Sequence, residues 1–169
     1  MQKYAFLDRD GTILIEPEQD GTDSYPLQTT REKMTRLRFL NDALEGLDKL
    51  KKLGFKFVLV TNQPWLDTPK RPKDIYEEVT SKMYAELDNR GIVFDFVMMC
   101  PHGPEENCEC RKPKIGGLKD FLETNKGNID FEHSLMFGDR DTDGIFADNL
   151  GVRFVRIVPN TKFEIPSDI

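Results

Sequence analysis

Tyr4-Ala5-Phe6-Leu7-Asp8-Arg9-Asp10-Gly11-Thr12 stands near the start of the chain. Its four uninterrupted apolar residues are too few for a helix and fit a strand buried on both faces. The run stops at two aspartates, and Gly11 follows as the turn residue. The same unit recurs downstream. Residues 57–60 run into Thr61-Asn62-Gln63, 94–99 into a cysteine-rich loop, and 134–137 into Gly138-Asp139, while 153–158 forms a fifth strand.

Helical patterns fill the gaps. Leu40, Ala43, Leu44, Leu47 and Leu50 recur at helical spacing, with Asn41 as the N-cap and Gly54 at the C′ position. Pro72 opens a second helix as an N1 proline. Ile75, Val79, Met83 and Leu87 give that helix one core-facing stripe, and Gly91 ends it. Leu118, Phe121 and Leu122 mark a short helix, and Ile145, Phe146 and Leu150 before Gly151 mark another. The tail after Pro159 reads as loop.

Alternating strands and helices imply an α/β fold, Rossmann-like, with a mostly parallel central sheet and helices on both faces. Residues 1–169 read as one domain, with the loop 100–110 inside it. The stretches from Asp10 to Thr61 and from Thr61 to Lys112 must each supply a helix and a strand, which leaves no room for a separate cap domain. In open parallel sheets, ligands bind beyond the carboxyl ends of the strands. Asp8 and Asp10, Thr61 and Asn62, the cysteine loop leading to Arg111-Lys112, and Asp139 should therefore meet at one rim.

The chain has 169 residues and a formal net charge of −6. That acidity disfavours nucleic acid as a partner. The N-terminus turns charged too early for a signal sequence, and no apolar run approaches membrane-span length. A soluble, cytoplasmic protein without membrane contact is expected, as monomer or homodimer.

All three cysteines fall in Cys100-Pro101-His102-Gly103-Pro104-Glu105-Glu106-Asn107-Cys108-Glu109-Cys110. An odd, tightly clustered set argues against a disulfide framework. Three thiolates and one imidazole make a closed tetrahedral set, so Cys100, His102, Cys108 and Cys110 are expected to hold a structural Zn²⁺. The loop ends at Arg111-Lys112, which that metal would aim toward the rim.

At the rim, one carboxylate can attack phosphorus while a neighbouring carboxyl acts as general acid and base. Asp139 would complete an oxygen site for Mg²⁺. Thr61-Asn62 offers a hydroxyl and backbone N–H groups to phosphate oxygens, and Lys112 offers a point charge.

The order Asp-x-Asp-Gly-Thr, then Thr-Asn, then Lys, then Gly-Asp…Asp, each after a strand, resembles the four motifs of the haloacid dehalogenase (HAD) superfamily of phosphatases along essentially the whole chain. The resemblance implies Mg²⁺-dependent phosphomonoester hydrolysis through an aspartyl-phosphate. On it, Asp8 is the nucleophile, Asp10 the acid and then the base, and Lys112 the group that neutralises the intermediate. Gly11, Thr12, Thr61, Asn62 and Arg111 are candidate phosphate-binding residues. Asp8, Asp139 and the backbone carbonyl of Asp10 would hold Mg²⁺, with Asp143 outside them.

The cysteine loop followed by Arg111-Lys112-Pro113-Lys114 is similar to the branch holding histidinol-phosphatases and heptose-1,7-bisphosphate phosphatases. The short Cys-to-Cys spacing, Gly138-Asp139-Arg140-x-Thr142-Asp143 and Glu16-Pro17 lean toward the former. Histidinol phosphate carries an ammonium and a protonatable imidazole, which suits an acidic stretch holding Glu16, Glu18, Asp20 and Asp23. Glu16 and Gln28 are candidate substrate-binding residues. One departure is Pro64-Trp65 after Thr61-Asn62-Gln63, where relatives continue with a small residue and glycine. A heptose bisphosphatase, a nucleic-acid 3′-phosphatase and a non-catalytic zinc-stabilised binding module are the alternatives.

Overall fold

A computed structural model describes residues 1–15, 31–64, 66–68, 72–159 and 161–169. The opening run is a strand, β1 (Tyr4–Leu7), with all four residues buried. In chain order follow α1 (Arg31–Met34), α2 (Ala43–Lys52), β2 (Lys56–Asn62), α3 (Lys73–Asn89), β3 (Phe94–Cys100), α4 (Lys119–Thr124), β4 (Leu135–Gly138), α5 (Asp141–Leu150) and β5 (Arg153–Arg156). The five strands form one sheet in the order β3-β2-β1-β4-β5. Every pairing is parallel. The fully buried strand β1 lies at the centre, and its carboxyl end opens between β2 and β4.

Strand alternation assigns the two faces. Ala5, Leu7, Phe57, Leu59, Leu135 and Phe137 pack against Leu47 and Leu50 of α2 and Met83 and Leu87 of α3. Tyr4, Phe6, Val58, Val60 and Met136 point the other way, onto Phe121 of α4 and Phe146 of α5. Each of the Val, Leu, Met and Phe side chains among these, removed from water, stabilises the fold by roughly 1.5–3 kcal/mol. Helices thus cover both faces, as a parallel sheet requires.

Several local details differ from the sequence pattern. Strand β2 continues through Thr61 and Asn62, because its ladder with β3 runs on to the Asn62–Cys100 rung. Strand β4 begins at Leu135 rather than at Ser134, whose hydroxyl accepts the Tyr4 N–H at 2.9 Å. Strand β5 stops at Arg156. Asn41 does not cap α2: Asp42 holds the N-cap position at φ 60°, and Asn41 instead bridges to Lys162. Pro72 is the N-cap of α3 rather than its first residue. The tail is irregular, as expected, yet Phe163 is buried and stacks on Phe137 with ring centroids 4.9 Å apart. Gly46 makes room for it, since a Cβ there would lie 2.5 Å from the Phe163 ring.

The long polar stretch is stitched at its base. Leu14 bridges Phe39, Ile15 N–H donates to the Arg38 carbonyl at 2.9 Å, and Leu40 N–H donates to that of Ile13 at 2.8 Å. Its returning end forms α1, where Arg31 pairs with Asp74 and Glu78 of α3. Glu16, Glu18, Asp20, Asp23, Gln28 and Trp65 lie outside the described residues. Among the described residues no helix is long and apolar enough to cross a membrane.

Candidate active site

Asp8 extends β1 by one rung: its N–H donates to the Phe137 carbonyl of β4 at 2.9 Å. The backbone then turns at Gly11, with φ +82°. That conformation favours glycine. A second constraint coincides with it, because a Cβ on Gly11 would sit 2.7 Å from Asp139 Oδ2. The turn therefore lets the Asp139 carboxylate close on the end of β1. Gly138 serves Asp143 in the same way, since a Cβ there would lie 2.4 Å from the Asp143 Cβ.

Lys112 comes from a different loop and is delivered by Asn62. The Asn62 side chain accepts the Lys112 N–H at 3.0 Å and donates to the Lys112 carbonyl at 3.2 Å. The Lys112 ammonium donates to Asp8 Oδ1 at 2.6 Å and to the Val60 carbonyl at 2.8 Å, and lies 2.7 Å from Asp143 Oδ1. Two hydrogen bonds and the ion pair with Asp143 thus hold the ammonium in place. Burial pulls the Lys112 pKa down, but the charges of Asp8 and Asp143 outweigh it and leave the ammonium held above its ordinary value. Burial pushes the Asp8 carboxyl up to about 7, against the attraction of Lys112 and with the help of Asp143 and Asp10.

Asp8, Asp139 and Asp143 each offer an oxygen, all within 4.8 Å of one another, and all three residues are buried. Three buried carboxylates facing one ammonium carry an excess of negative charge that a hard divalent cation would balance. Asp143, expected outside the Mg²⁺ ligands, lies beside Asp8 and Asp139 in the first turn of α5, where its Oδ2 accepts the Arg140 N–H at 3.0 Å.

Asp10 lies just beyond, with a partly exposed side chain. Gln63, for which the sequence suggests no role, reaches it: Nε2 donates to Asp10 Oδ2 at 2.6 Å and to Thr61 Oγ1 at 2.8 Å. Gln63 is 2% exposed. Arg9, also buried, lies over the Tyr76 ring at 4.5 Å and places its Nε 3.8 Å from Asp10 Oδ1.

The cysteine loop forms a second cluster. The sulfurs of Cys100, Cys108 and Cys110 lie 3.3–3.5 Å apart. His102 Nδ1 is 3.5 Å from Cys100 and 3.2 Å from Cys110. A tetrahedral zinc with bonds of about 2.0–2.3 Å spans edges of roughly 3.3–3.8 Å, so the donor set fits that ion. Burial pushes the Cys100 thiol up to about 12, with hydrogen bonding to Cys110 adding to it. Against burial, hydrogen bonds from Cys110 and Cys100 draw Cys108 down to about 7. Arg111 braces the loop from below, its Nη1 donating to the His102 carbonyl at 2.9 Å.

A cleft of about 600 Å³ joins these parts. Asp8, Asp10, Thr61, Asn62, Lys112 and Asp143 form its floor, with Arg111 and Arg140 at its sides. Pro104, Asn107 and Cys108 of the cysteine loop make one wall, and Pro64 lines it as well. Gly11 and Thr12 are not among the lining residues, and Thr12 is fully buried.

The bifunctional histidine biosynthesis protein HisB of Campylobacter jejuni is 42% identical over 168 residues, which is 99% of this chain and 45% of that protein. The chain thus spans about 45% of the length of such relatives. The structure of D,D-heptose 1,7-bisphosphate phosphatase from B. bronchiseptica, complexed with magnesium and phosphate, matches with TM-score 0.70 and 27% identity, over 90% of this chain and 79% of that one. A HAD-superfamily hydrolase from Geobacter sulfurreducens shares the fold with TM-score 0.56 at 18% identity, over 92% of this chain and 89% of that one. The family model described as polynucleotide kinase 3 phosphatase covers residues 3–163, so that strands, acid cluster and cysteine loop all fall within the match, and the chain belongs to that family.

Proposed function

We propose that the chain is a Mg²⁺-dependent phosphomonoester hydrolase and that its substrate is histidinol phosphate. The observation that carries the first part is Lys112, buried and hydrogen-bonded to Asp8, beside three convergent carboxylates. A carboxylate so paired is ready to attack phosphorus, and the lysine neutralises what forms. The relatives named for histidine biosynthesis support the second part.

In this scheme Asp8 Oδ attacks phosphorus in line. The bond from phosphorus to the leaving oxygen breaks, and Asp10 gives that oxygen its proton. Asp10 then takes a proton from water, whose oxygen attacks the aspartyl-phosphate and returns Asp8 as carboxylate with release of phosphate. Lys112 stays protonated throughout, and Thr61 holds a phosphoryl oxygen. Mg²⁺, held by Asp8, Asp139 and the Asp10 carbonyl, with Asp143 close by, would offset the charge of the phosphate and orient its oxygens. Cys100, His102, Cys108 and Cys110 would hold a structural Zn²⁺, which would fix the wall of the cleft.

The test is a panel assayed with Mg²⁺: histidinol phosphate, a heptose 1,7-bisphosphate and a 3′-phosphorylated oligonucleotide. Histidinol phosphate should show the highest kcat/KM. Preference for the heptose, which the B. bronchiseptica neighbour favours, would reassign the substrate and leave the chemistry intact. Preference for the oligonucleotide would do the same, against the net charge of −6.

Two further results are expected. Asp10→Asn should lower kcat by about 10²–10⁴-fold on an alkyl phosphate. Its affinity for Mg²⁺, measured calorimetrically, should change little because the backbone carbonyl remains. Purified protein should contain one zinc per chain. On strong chelation, amide exchange should rise across residues 100–110 before the sheet loses protection, since structural zinc contributes on the order of 10 kcal/mol to ordering its peptide. Active protein free of zinc would remove that ion from the scheme.

A further inference from the structure

We propose that Gln63 is a positioning residue that sets the orientation of the general acid Asp10 and the donor direction of the Thr61 hydroxyl with a single amide. The proposal rests on the hydrolase scheme above, in which Asp10 protonates the leaving group.

Asp10 has a short side chain on the turn beyond β1, and that side chain is 22% exposed. Proton transfer in the transition state needs its carboxyl in one plane, within hydrogen-bond reach of the leaving oxygen. Gln63 supplies a fixed reference for that plane. Its backbone is anchored, the N–H donating to the Cys100 carbonyl at 2.7 Å just past the last rung of the β2–β3 ladder. Its amide nitrogen carries two protons. One goes to Asp10 Oδ2 at 2.6 Å and the other to Thr61 Oγ1 at 2.8 Å.

With the Thr61 oxygen accepting from the amide, its own O–H is turned outward as a donor. Thr61 lines the cleft beside Asp8 and Asp10. One buried, uncharged group thus coordinates the residue that grips the phosphoryl group and the residue that protonates its leaving group. Because the amide is neutral, it does so without adding a charge to a site that already holds four aspartates and a lysine.

The experiment uses the Mg²⁺-loaded full chain and two substrates, an alkyl phosphate and 4-nitrophenyl phosphate. The nitrophenolate leaves without a proton, so kcat/KM for it does not depend on Asp10 as acid. Gln63→Leu keeps the side-chain volume and removes the amide. Its kcat/KM on the alkyl ester should fall about 10²-fold, the scale of a misplaced catalytic group. The ratio of alkyl to aryl kcat/KM should fall by about 30-fold or more. In an Asp10→Asn background the same substitution should cost little further on the alkyl ester. Equal losses on both esters, or losses that multiply with Asp10→Asn, would overturn the proposal. If Gln63→Leu fails to fold, Gln63→Met, unbranched like glutamine and likewise without a donor, takes its place, and the same ratio decides. An unsubstituted chain inactive on both esters would fail the hydrolase scheme itself, a result distinct from an active chain showing equal losses.

Discussion

Asp8→Asn should abolish turnover, with a loss on the order of 10⁴–10⁶-fold in kcat, the range seen when a nucleophile is removed. The amide cannot displace the leaving group, and Asp143, which also faces Lys112, is tied to the Arg140 backbone. The fold should survive. Lys112 keeps Asp143 and the Val60 carbonyl as partners. Stability has a defined sign here. In protein stripped of divalent ions, Asp8 holds its proton up to about pH 7 when folded, while in the unfolded chain it titrates near its ordinary value of 3.8. Between those limits the folded state binds more protons, so this group lowers stability as pH rises through that window. Asp8→Asn removes that contribution, and thermal melts at pH 5 and pH 8 should draw closer together. A variant that retains more than a hundredth of the wild-type rate would refute the nucleophile.

Lys112→Met should be the most damaging single change to both activity and stability. It leaves Asp8 and Asp143 buried without their shared cation, and removing one partner of a buried ion pair costs about 3–5 kcal/mol. The loss is large because both acids are almost completely enclosed, Asp143 at 1% exposure. Protonation relieves the strain, so the variant should be relatively more stable at pH 5 than at pH 8. Denaturant unfolding at the two pH values checks this. Turnover should disappear under both conditions, because among the described residues the ammonium hydrogen-bonded to Asp8 is that of Lys112. A melting profile equal to the wild type would mean that the three-way contact of Lys112 contributes nothing.

The gathering of the motif residues was legible because each follows a strand, and a parallel sheet with β1 at its centre has one rim on which to gather the carboxyl ends of its strands. The cysteine cluster was legible for a different reason: its ligand types and spacing close a coordination sphere within a single loop. Gln63 was not legible. Its function depends on reaching back to Thr61 within β2 and across to Asp10 beyond β1, a pairing that exists only once the two strands lie side by side. The closeness of Asp143 to Asp8 and Asp139 was not legible either, because spacing does not reveal that Gly138 lets its helix approach so closely. Asn41 looked like a helix cap, but its carbonyl accepts the Phe163 N–H of the tail at 2.8 Å, a long-range contact no local pattern announces. The burial of Phe163 was hidden likewise, since a lone aromatic in a polar tail carries no periodicity.

The placement of the two ends of the cysteine loop has an evolutionary corollary. Cys100 is locked in the sheet at the Asn62 rung, and Lys112 is clasped by the Asn62 amide. The peptide between His102 and Cys108 therefore hangs from fixed posts, with Pro104 and Asn107 turned to the cleft. On the proposed reading, exchanges in that peptide would retune which phosphate ester is admitted through a replaceable awning, while Asp8 and Lys112, held by other contacts, keep their places.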